Sequence, residues 1–191
     1  KSGGELAALL ERYHLANRDA GRELRLGLLC DLPDRDRPMG EREQTWVETA
    51  SAAVEQLNKA YGGGFYLFFR VPVFHAPDQR YMGLERKRGA LVELVRLLRE
   101  KIPSHKEISV AVAANPNNWQ TGWHGSYDYA ALAKYADHLV IMAYDEHYEG
   151  GEAGPVASIE FVENSIRYAL SHTSPDKIVV AVPFYGRVWG V

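Results

Sequence analysis

The sequence has little that would point to disulfides, membranes or nucleic acid. Its one cysteine, Cys30, excludes a disulfide within the chain, and the apolar residues around it indicate a small buried side chain rather than a nucleophile. This leaves the cellular compartment open. No apolar run approaches the roughly 20 residues that a membrane-spanning helix needs, so we expect no membrane insertion. The 22 basic and 25 acidic residues give a net charge of −3 with both signs spread along the chain, so we expect no nucleic-acid binding.

What the chain does contain is typical of a globular domain. It has 191 residues, of which 46% are hydrophobic, enough to form one sizeable core. The first residue is lysine, no signal peptide is recognisable, and the last residues follow a strand pattern closely. We therefore expect residues 1–191 to form a single domain that is a fragment of a longer polypeptide.

Helical and strand patterns alternate along the chain, which predicts an α/β fold. The expected helices cover residues 5–17, 46–60, 89–102, 127–136 after a Ser126 cap, and 159–170 after a Ser158 cap. The expected strands cover residues 24–30, 65–73, 108–113, 139–143 and 177–182. These strands are continuous apolar runs, as in a parallel sheet that is buried on both faces. The pattern alone leaves both an open doubly wound sheet and an eightfold barrel possible. It argues against a phosphate loop, because Gly62–Gly64 precedes a strand instead of following one.

The ends of the predicted strands carry the candidate site residues. Function in parallel α/β folds lies at the carboxyl ends of strands. Tyrosine and tryptophan there suit a sugar ring, because each offers an apolar face and a polar group. The candidates for substrate binding are Asn115, Trp119, Tyr144, Asp145, Tyr185 and Arg187. The alternative is that the aromatic residues among them only pack beneath loops.

A metal or cofactor is not expected. His147 follows Glu146, but a metal site needs at least three converging ligands and no such spacing is present.

Several motifs resemble glycoside hydrolase family 18, especially its spore-cortex N-acetylglucosaminidases. Met142–Asp145 is similar to the end of the family's sixth strand, and Pro183–Trp189 to the end of its seventh. The resemblance implies a (β/α)8 TIM-barrel-like fold of which this chain carries strands three to seven, a partial barrel, since a whole one takes roughly 250 residues. It further implies an amino-sugar polysaccharide partner, peptidoglycan or chitin, and a secreted, cell-envelope or spore location. Open sheet edges would favour self-association.

The expected fourth strand departs from the family pattern. The resemblance implies the motif D-x-x-D-x-D-x-E, whose glutamate protonates the glycosidic oxygen while the preceding aspartate orients the acetamido group of the substrate. Aligned on Gly64, Tyr66 and Phe68 occupy the aspartate positions, and Arg70 stands at the position of the acid. Arginine does not donate its proton at accessible pH. The sequence therefore predicts a sugar-recognising domain that is impaired in catalysis.

Two alternatives remain open for the function. The domain is an active glycosidase if Asp78, Glu85, Asp145 or Glu146 substitutes for the acid. It is a structural or interaction domain if the sugar site is lost as well.

Arg70 should have a carboxylate partner, because an unpaired buried charge is costly. Asp31 and Asp145 are the candidates at other strand ends.

Overall fold

The computed structural model describes residues 2–190, except for the side chain of Arg22. The chain divides into two compact units, one up to Ala90 and one from Leu91 onward.

The first unit contains a pair of parallel strands and the helices that cover them. Its elements are α1 (Gly3–Ala16), a 3-10 segment (Arg18–Glu23), β1 (Leu26–Asp31), α2 (Glu41–Tyr61), β2 (Phe65–Arg70), β3 (Val73–His75), β4 (Arg80–Met82) and the start of α3 (Arg86–Lys101). Ser2 and Glu5 form a capping box at the start of α1. Gly62 ends α2 in the left-handed conformation, at φ 79°. In the register of β1 with β2, Leu26 lies opposite Phe65 and Asp31 lies opposite Arg70.

Alternate residues of β2 face opposite sides of its sheet. Phe65 is buried among residues of α1 and α2, with Leu67 packed against the same cluster. The ring of Phe69 lies 6.4 Å from that of Trp46 on α2. Because side chains alternate along a strand, Tyr66, Phe68 and Arg70 point to the other side. This is the face on which the family motif would place its carboxylates.

The second unit contains a three-stranded parallel sheet in the order β5, β6, β7. Its elements are the rest of α3, then β5 (Ser109–Ala113), α4 (Tyr129–Ala133), β6 (His138–Met142), α5 (Ile159–Leu170) and β7 (Ile178–Ala181). Val112, Leu132, Leu139 and Ile141 are fully buried at its centre. The hydroxyl of the buried Tyr129 donates to the carbonyl oxygen of Ala113 at 2.6 Å, which ties α4 to the end of β5.

The α/β class is confirmed, whereas the expected single sheet is not. Among the described residues the five parallel strands form one sheet of two and one of three, and no closed barrel is present. Self-association through open sheet edges stays a prediction. No helix in the described part of the chain is long and apolar enough to cross a membrane.

Two local expectations also change. The strand expected over 65–73 stops at Arg70, and β3 and β4 form an antiparallel hairpin. Pro72 lacks the N–H that a continuing ladder requires. Ser126 lies in a 3-10 turn and does not cap the next helix. The cap of α4 is Asp128, whose Oδ1 accepts from the N–H of Ala131 at 2.9 Å. The cap expected at Ser158 is confirmed.

Candidate functional site

Arg70, at the end of β2, is a buried and fully engaged cation. Its side chain is 8% exposed. Nε and Nη2 donate to the two carboxylate oxygens of Asp31, each at 2.8 Å. Nη1 donates to the carbonyl of Leu84 at 2.9 Å, and Nη2 also donates to the carbonyl of Arg86 at 2.8 Å. Of the two expected partners, Asp31 is therefore confirmed, and the guanidinium ties β1 to the loop before α3.

Two glycines allow the backbone to approach this guanidinium closely. A Cβ on Gly83 would lie 2.2 Å from Nη2 of Arg70, and one on Gly89 would lie 3.0 Å from Nη1. The loop between these glycines therefore packs directly against Arg70, which limits the room for any ligand beside it.

The other two residues on this face of β2 are aromatic. Phe68 packs against β1, where a Cβ on Gly27 would lie 2.7 Å from its Cε2. The ring of Tyr66 stacks on that of Phe68, with centroids 6.2 Å apart and planes inclined by 23°. The face that the family motif would line with carboxylates thus carries two rings and a paired cation.

The carboxylates considered as substitute acids have other contacts. Asp78 is exposed and lies 3.0 Å from Nδ1 of His75. Glu85 is exposed as well and lies 3.7 Å from Nε of Arg88. Glu146 accepts from the N–H and the hydroxyl of Ser158, at 2.6 and 3.1 Å, and so holds the start of α5.

Four candidate residues converge at the ends of β6 and β7 in the second unit. Oδ1 of Asp145 accepts from the hydroxyl of Tyr185 and from Nη2 of Arg187, both at 2.7 Å. The bond from Arg187, followed by that from Tyr185, holds the pKa of the Asp145 carboxyl below its usual range. The same carboxylate raises the pKa of the Tyr185 hydroxyl. The ring of Tyr144 meets that of Tyr185 edge-on, with centroids 6.4 Å apart.

A groove of about 510 Å³ opens beside this cluster. Its walls include four aromatic rings, which belong to Trp119, Trp123, Tyr144 and Tyr148, and the carboxylates of Asp145 and Glu146. Trp119 and Trp123 are 41% and 54% exposed, so their rings can meet a ligand. Aromatic walls with few polar groups are typical of sugar sites. We name this cavity the aromatic groove.

Asn115 supports the groove without facing it. The side chain is fully buried, its Nδ2 donates to the carbonyl of Trp119 at 2.9 Å, and its Oδ1 accepts from the N–H of Trp119 at 2.8 Å. Asn115 therefore positions Trp119 and is not itself open to a ligand.

The residues that line the groove and were not among the predicted candidates include His124 and Tyr148. Tyr148 follows the end of β6 closely, so the rule that placed Tyr144 there also applied to it. The ring of His124 packs 4.3 Å from that of Trp119, a contact that no sequence signal indicated.

The histidines and acids of the described chain form no metal centre. No group of three or more His, Cys, Asp or Glu side chains converges among the residues searched. His147, considered beside Glu146, has its Nδ1 2.9 Å from the carbonyl of Pro155.

Comparison with known proteins gives a consistent set of matches. The family model described as Glycosyl hydrolases family 18 matches residues 40–191. An uncharacterized glycosylase of Bacillus subtilis (strain 168), YvbX, is 35% identical over 88 residues, which cover 46% of this chain and 26% of that protein. The cortical fragment-lytic enzyme of the same strain is 37% identical over 84 residues, 44% of this chain and 20% of that protein. The chain thus spans about a quarter or less of these relatives.

Among solved structures, one match is the Bacillus cereus spore cortex-lytic enzyme SleL. It has a TM-score of 0.47 and 24% sequence identity, and the match covers 73% of this chain and 30% of that chain.

Proposed function

The chain belongs to glycosyl hydrolase family 18, and we propose that it recognises polymers of N-acetylglucosamine without hydrolysing them efficiently. One observation carries the second half of this proposal. Arg70, which we align with the acid of the family motif, is buried and makes a two-point ion pair with Asp31.

The chemistry of the acid explains why Arg70 removes turnover. A general acid holds a proton near neutral pH and releases it to the leaving oxygen in the transition state. A guanidinium keeps its proton at every accessible pH. The four hydrogen bonds of Arg70 also leave this side chain little freedom to make room for another group. Neither proton donation nor orientation of an acetamido group is available from Arg70 and Phe68.

The substitute carboxylates support the same conclusion. Asp145 has its pKa lowered by Arg187 and Tyr185, which is opposite to what a general acid needs. Glu146 caps α5 through Ser158. Asp78 and Glu85 are exposed, and their carboxylates lie beside His75 and Arg88.

The aromatic groove supports the recognition half of the proposal. Sugar rings stack on exposed aromatic faces, and the substituents of the ring bond to carboxylates and hydroxyls. Tyr144 and Asp145 match the family's sixth-strand motif, and Tyr185 and Arg187 match its seventh. The name cortical fragment-lytic enzyme, given to a relative, favours peptidoglycan as the polymer and a spore or cell-envelope location. Chitin is the alternative polymer.

We extend the proposal to the fold. β1, β2, β5, β6 and β7 correspond to strands three to seven of the family's (β/α)8 barrel, and residues 1–191 belong to one such domain. The parallel strands, the crossover helices and the family match support this assignment.

Two assays test the function. Titration with N-acetylglucosamine oligomers and pull-down on insoluble chitin and peptidoglycan measure binding, and a fluorogenic oligomer measures turnover. We expect saturable binding with turnover no higher than that of a blank. Absence of binding at millimolar oligomer refutes recognition. Robust turnover by the unchanged protein refutes the loss of catalysis. If that turnover persists in the combined Asp78→Asn, Asp145→Asn and Glu146→Gln variant, the general acid is none of these three residues.

A matched pair of tyrosines locates the binding surface. Tyr148 in the groove is 59% exposed, and Tyr13 on α1 is 57% exposed outside it. Tyr148→Ala should weaken oligomer binding about fivefold to tenfold, the effect of losing one stacked ring. Tyr13→Ala should leave it unchanged. Equal effects of the two variants would place the sugar outside the aromatic groove.

A further inference from the structure

The two carboxylates in the wall of the aromatic groove differ in how their charge is balanced. Asp145 accepts from the guanidinium of Arg187 at 2.7 Å, so a cation balances its charge. Glu146 is half-buried, and its two oxygens accept from neutral groups, the N–H and the hydroxyl of Ser158, at 2.6 and 3.1 Å. Among the described residues, no arginine, lysine or histidine forms an ion pair with Glu146.

The described wall of the groove has no cationic side chain that would offset the charge of Glu146. Lysine and arginine are absent from the described residues that line it. The wall does contain His124, whose Nδ1 lies 2.5 Å from the carbonyl oxygen of Ala114, so this nitrogen is engaged with the backbone. The groove should therefore attract a positively charged ligand more strongly than a neutral or a negatively charged one.

The exposed rings of the groove favour the same kind of ligand. Trp119, Trp123 and Tyr148 are 41%, 54% and 59% exposed in its wall. The face of an aromatic ring attracts a cation, and proteins bind ammonium groups between such faces. Sugar rings stack on the same faces. A sugar that carries an ammonium group would use the rings and the carboxylate together.

Acetylation decides whether an amino sugar carries such a charge. N-acetylglucosamine is neutral, because its nitrogen belongs to an amide. Glucosamine without the acetyl group has a primary amine, which is protonated near neutral pH. A carboxylate has about four lone-pair sites, and the bonds from Ser158 use two of those on Glu146. Glu146 can therefore accept from an ammonium group as well.

We propose that the aromatic groove prefers glucosamine units that lack the acetyl group, so that the domain binds deacetylated stretches of the polymer. The preference rests on the proposed function, because it requires that the sugar lies in the aromatic groove. The ammonium group donates to Glu146 while the sugar ring stacks on an exposed aromatic face. A charge-assisted hydrogen bond of this kind is about twice as strong as a neutral one.

Calorimetric titration with two tetramers of equal length, one of N-acetylglucosamine and one of glucosamine, tests the preference. At neutral pH and about 0.15 M salt, we expect the glucosamine tetramer to bind about fivefold tighter. The ratio of the two dissociation constants should fall to about one in Glu146→Gln. A general loss of folded protein would weaken both tetramers alike and leave this ratio unchanged. Glu152→Gln is the control, since it removes the same charge from an exposed residue outside the described wall and should keep the preference.

The unchanged protein gives a second readout that needs no variant. Salt screens the attraction between an ammonium group and a carboxylate, so raising it from about 0.05 M to about 0.5 M should lower the ratio at least about twofold. The loss should come from the glucosamine tetramer, because the acetylated tetramer is neutral.

The outcomes separate the preference from the recognition on which it rests. If neither tetramer binds at millimolar concentration, the proposed recognition is refuted and the preference with it. If the acetylated tetramer binds as tightly as the glucosamine tetramer or more tightly, recognition stands and the preference is overturned. A ratio that salt does not change also overturns it. So does a ratio that falls equally in Glu146→Gln and Glu152→Gln, because the attraction would then be that of net charge.

Discussion

Replacing Arg70 by methionine should destabilise the first unit strongly, because it leaves Asp31 without its cation. Breaking a buried ion pair from one side costs about 3–5 kcal/mol. Asp31 keeps 29% exposure, so water recovers part of the loss, and we expect a cost near the lower end of this range, about 3 kcal/mol. The carbonyls of Leu84 and Arg86 also lose their donor, so the loop before α3 should exchange its amide hydrogens faster.

A double-mutant cycle in urea separates the pair from the other contacts of Arg70. The single variant Asp31→Asn leaves the guanidinium of Arg70, which is 8% exposed, without the carboxylate of Asp31. It should lower the free energy of unfolding by a similar amount. The double variant should cost less than the sum of the single ones, with a coupling energy of about 2 kcal/mol. Arg96→Met is the control, since its exposed pair with Glu100 is worth about 0.5 kcal/mol or less.

The result that refutes this reasoning is additivity. A coupling energy below about 0.5 kcal/mol would mean that Asp31 and Arg70 do not act as a pair. The ground for regarding Arg70 as a fixed structural group would then fail.

Three further predictions concern other parts of the chain. Gly27→Ala places a Cβ 2.7 Å from Cε2 of Phe68 and should cost about 1–3 kcal/mol in urea denaturation; no loss would contradict the packing of this face. Ser158→Ala removes the cap of α5 and should lower the thermal midpoint through a loss of about 1 kcal/mol. Asp145, whose pKa is lowered from 3.8 mainly by Arg187, should titrate closer to that value in Arg187→Gln when followed by carboxyl carbon NMR. Because the folded pKa is depressed, the stability from this pair is present above the ordinary pKa and is lost as pH falls through the folded value.

The sequence was sufficient to predict a strand that ends at Arg70 or soon after it, and to narrow the partner of Arg70 to Asp31 or Asp145. Both follow from local rules, since side chains alternate along a strand and the carboxyl ends of parallel neighbours meet at one edge. In the structure, the register of β1 with β2 places Asp31 opposite Arg70. The helices were predictable for the same reason, because their apolar periodicity is local.

The features that sequence reasoning missed depend on contacts between segments. Asn115 was expected to bind substrate, but its side-chain amide forms hydrogen bonds with the backbone of Trp119, four residues later. Only the folded loop brings these groups together. Five similar apolar runs predicted the five parallel strands, but such runs specify buried strands without specifying which strand pairs with which. The hairpin of β3 and β4 has strands of three residues, too short for a period of two to be recognised.

The proposed loss of the acid and the proposed sugar site are compatible, because different strands provide them. In the proposed alignment, Phe68 and Arg70 of β2 stand where the family motif has aspartate and glutamate, whereas the loops after β5 and β6 provide the aromatic groove. Stacking on Trp119, Trp123 and Tyr148 needs only exposed rings, which are present regardless of what stands at position 70. Catalysis requires interactions that are stronger in the transition state than in the ground state, whereas recognition requires only the ground-state contacts. Changes on β2 can therefore abolish turnover while the affinity for the polymer persists.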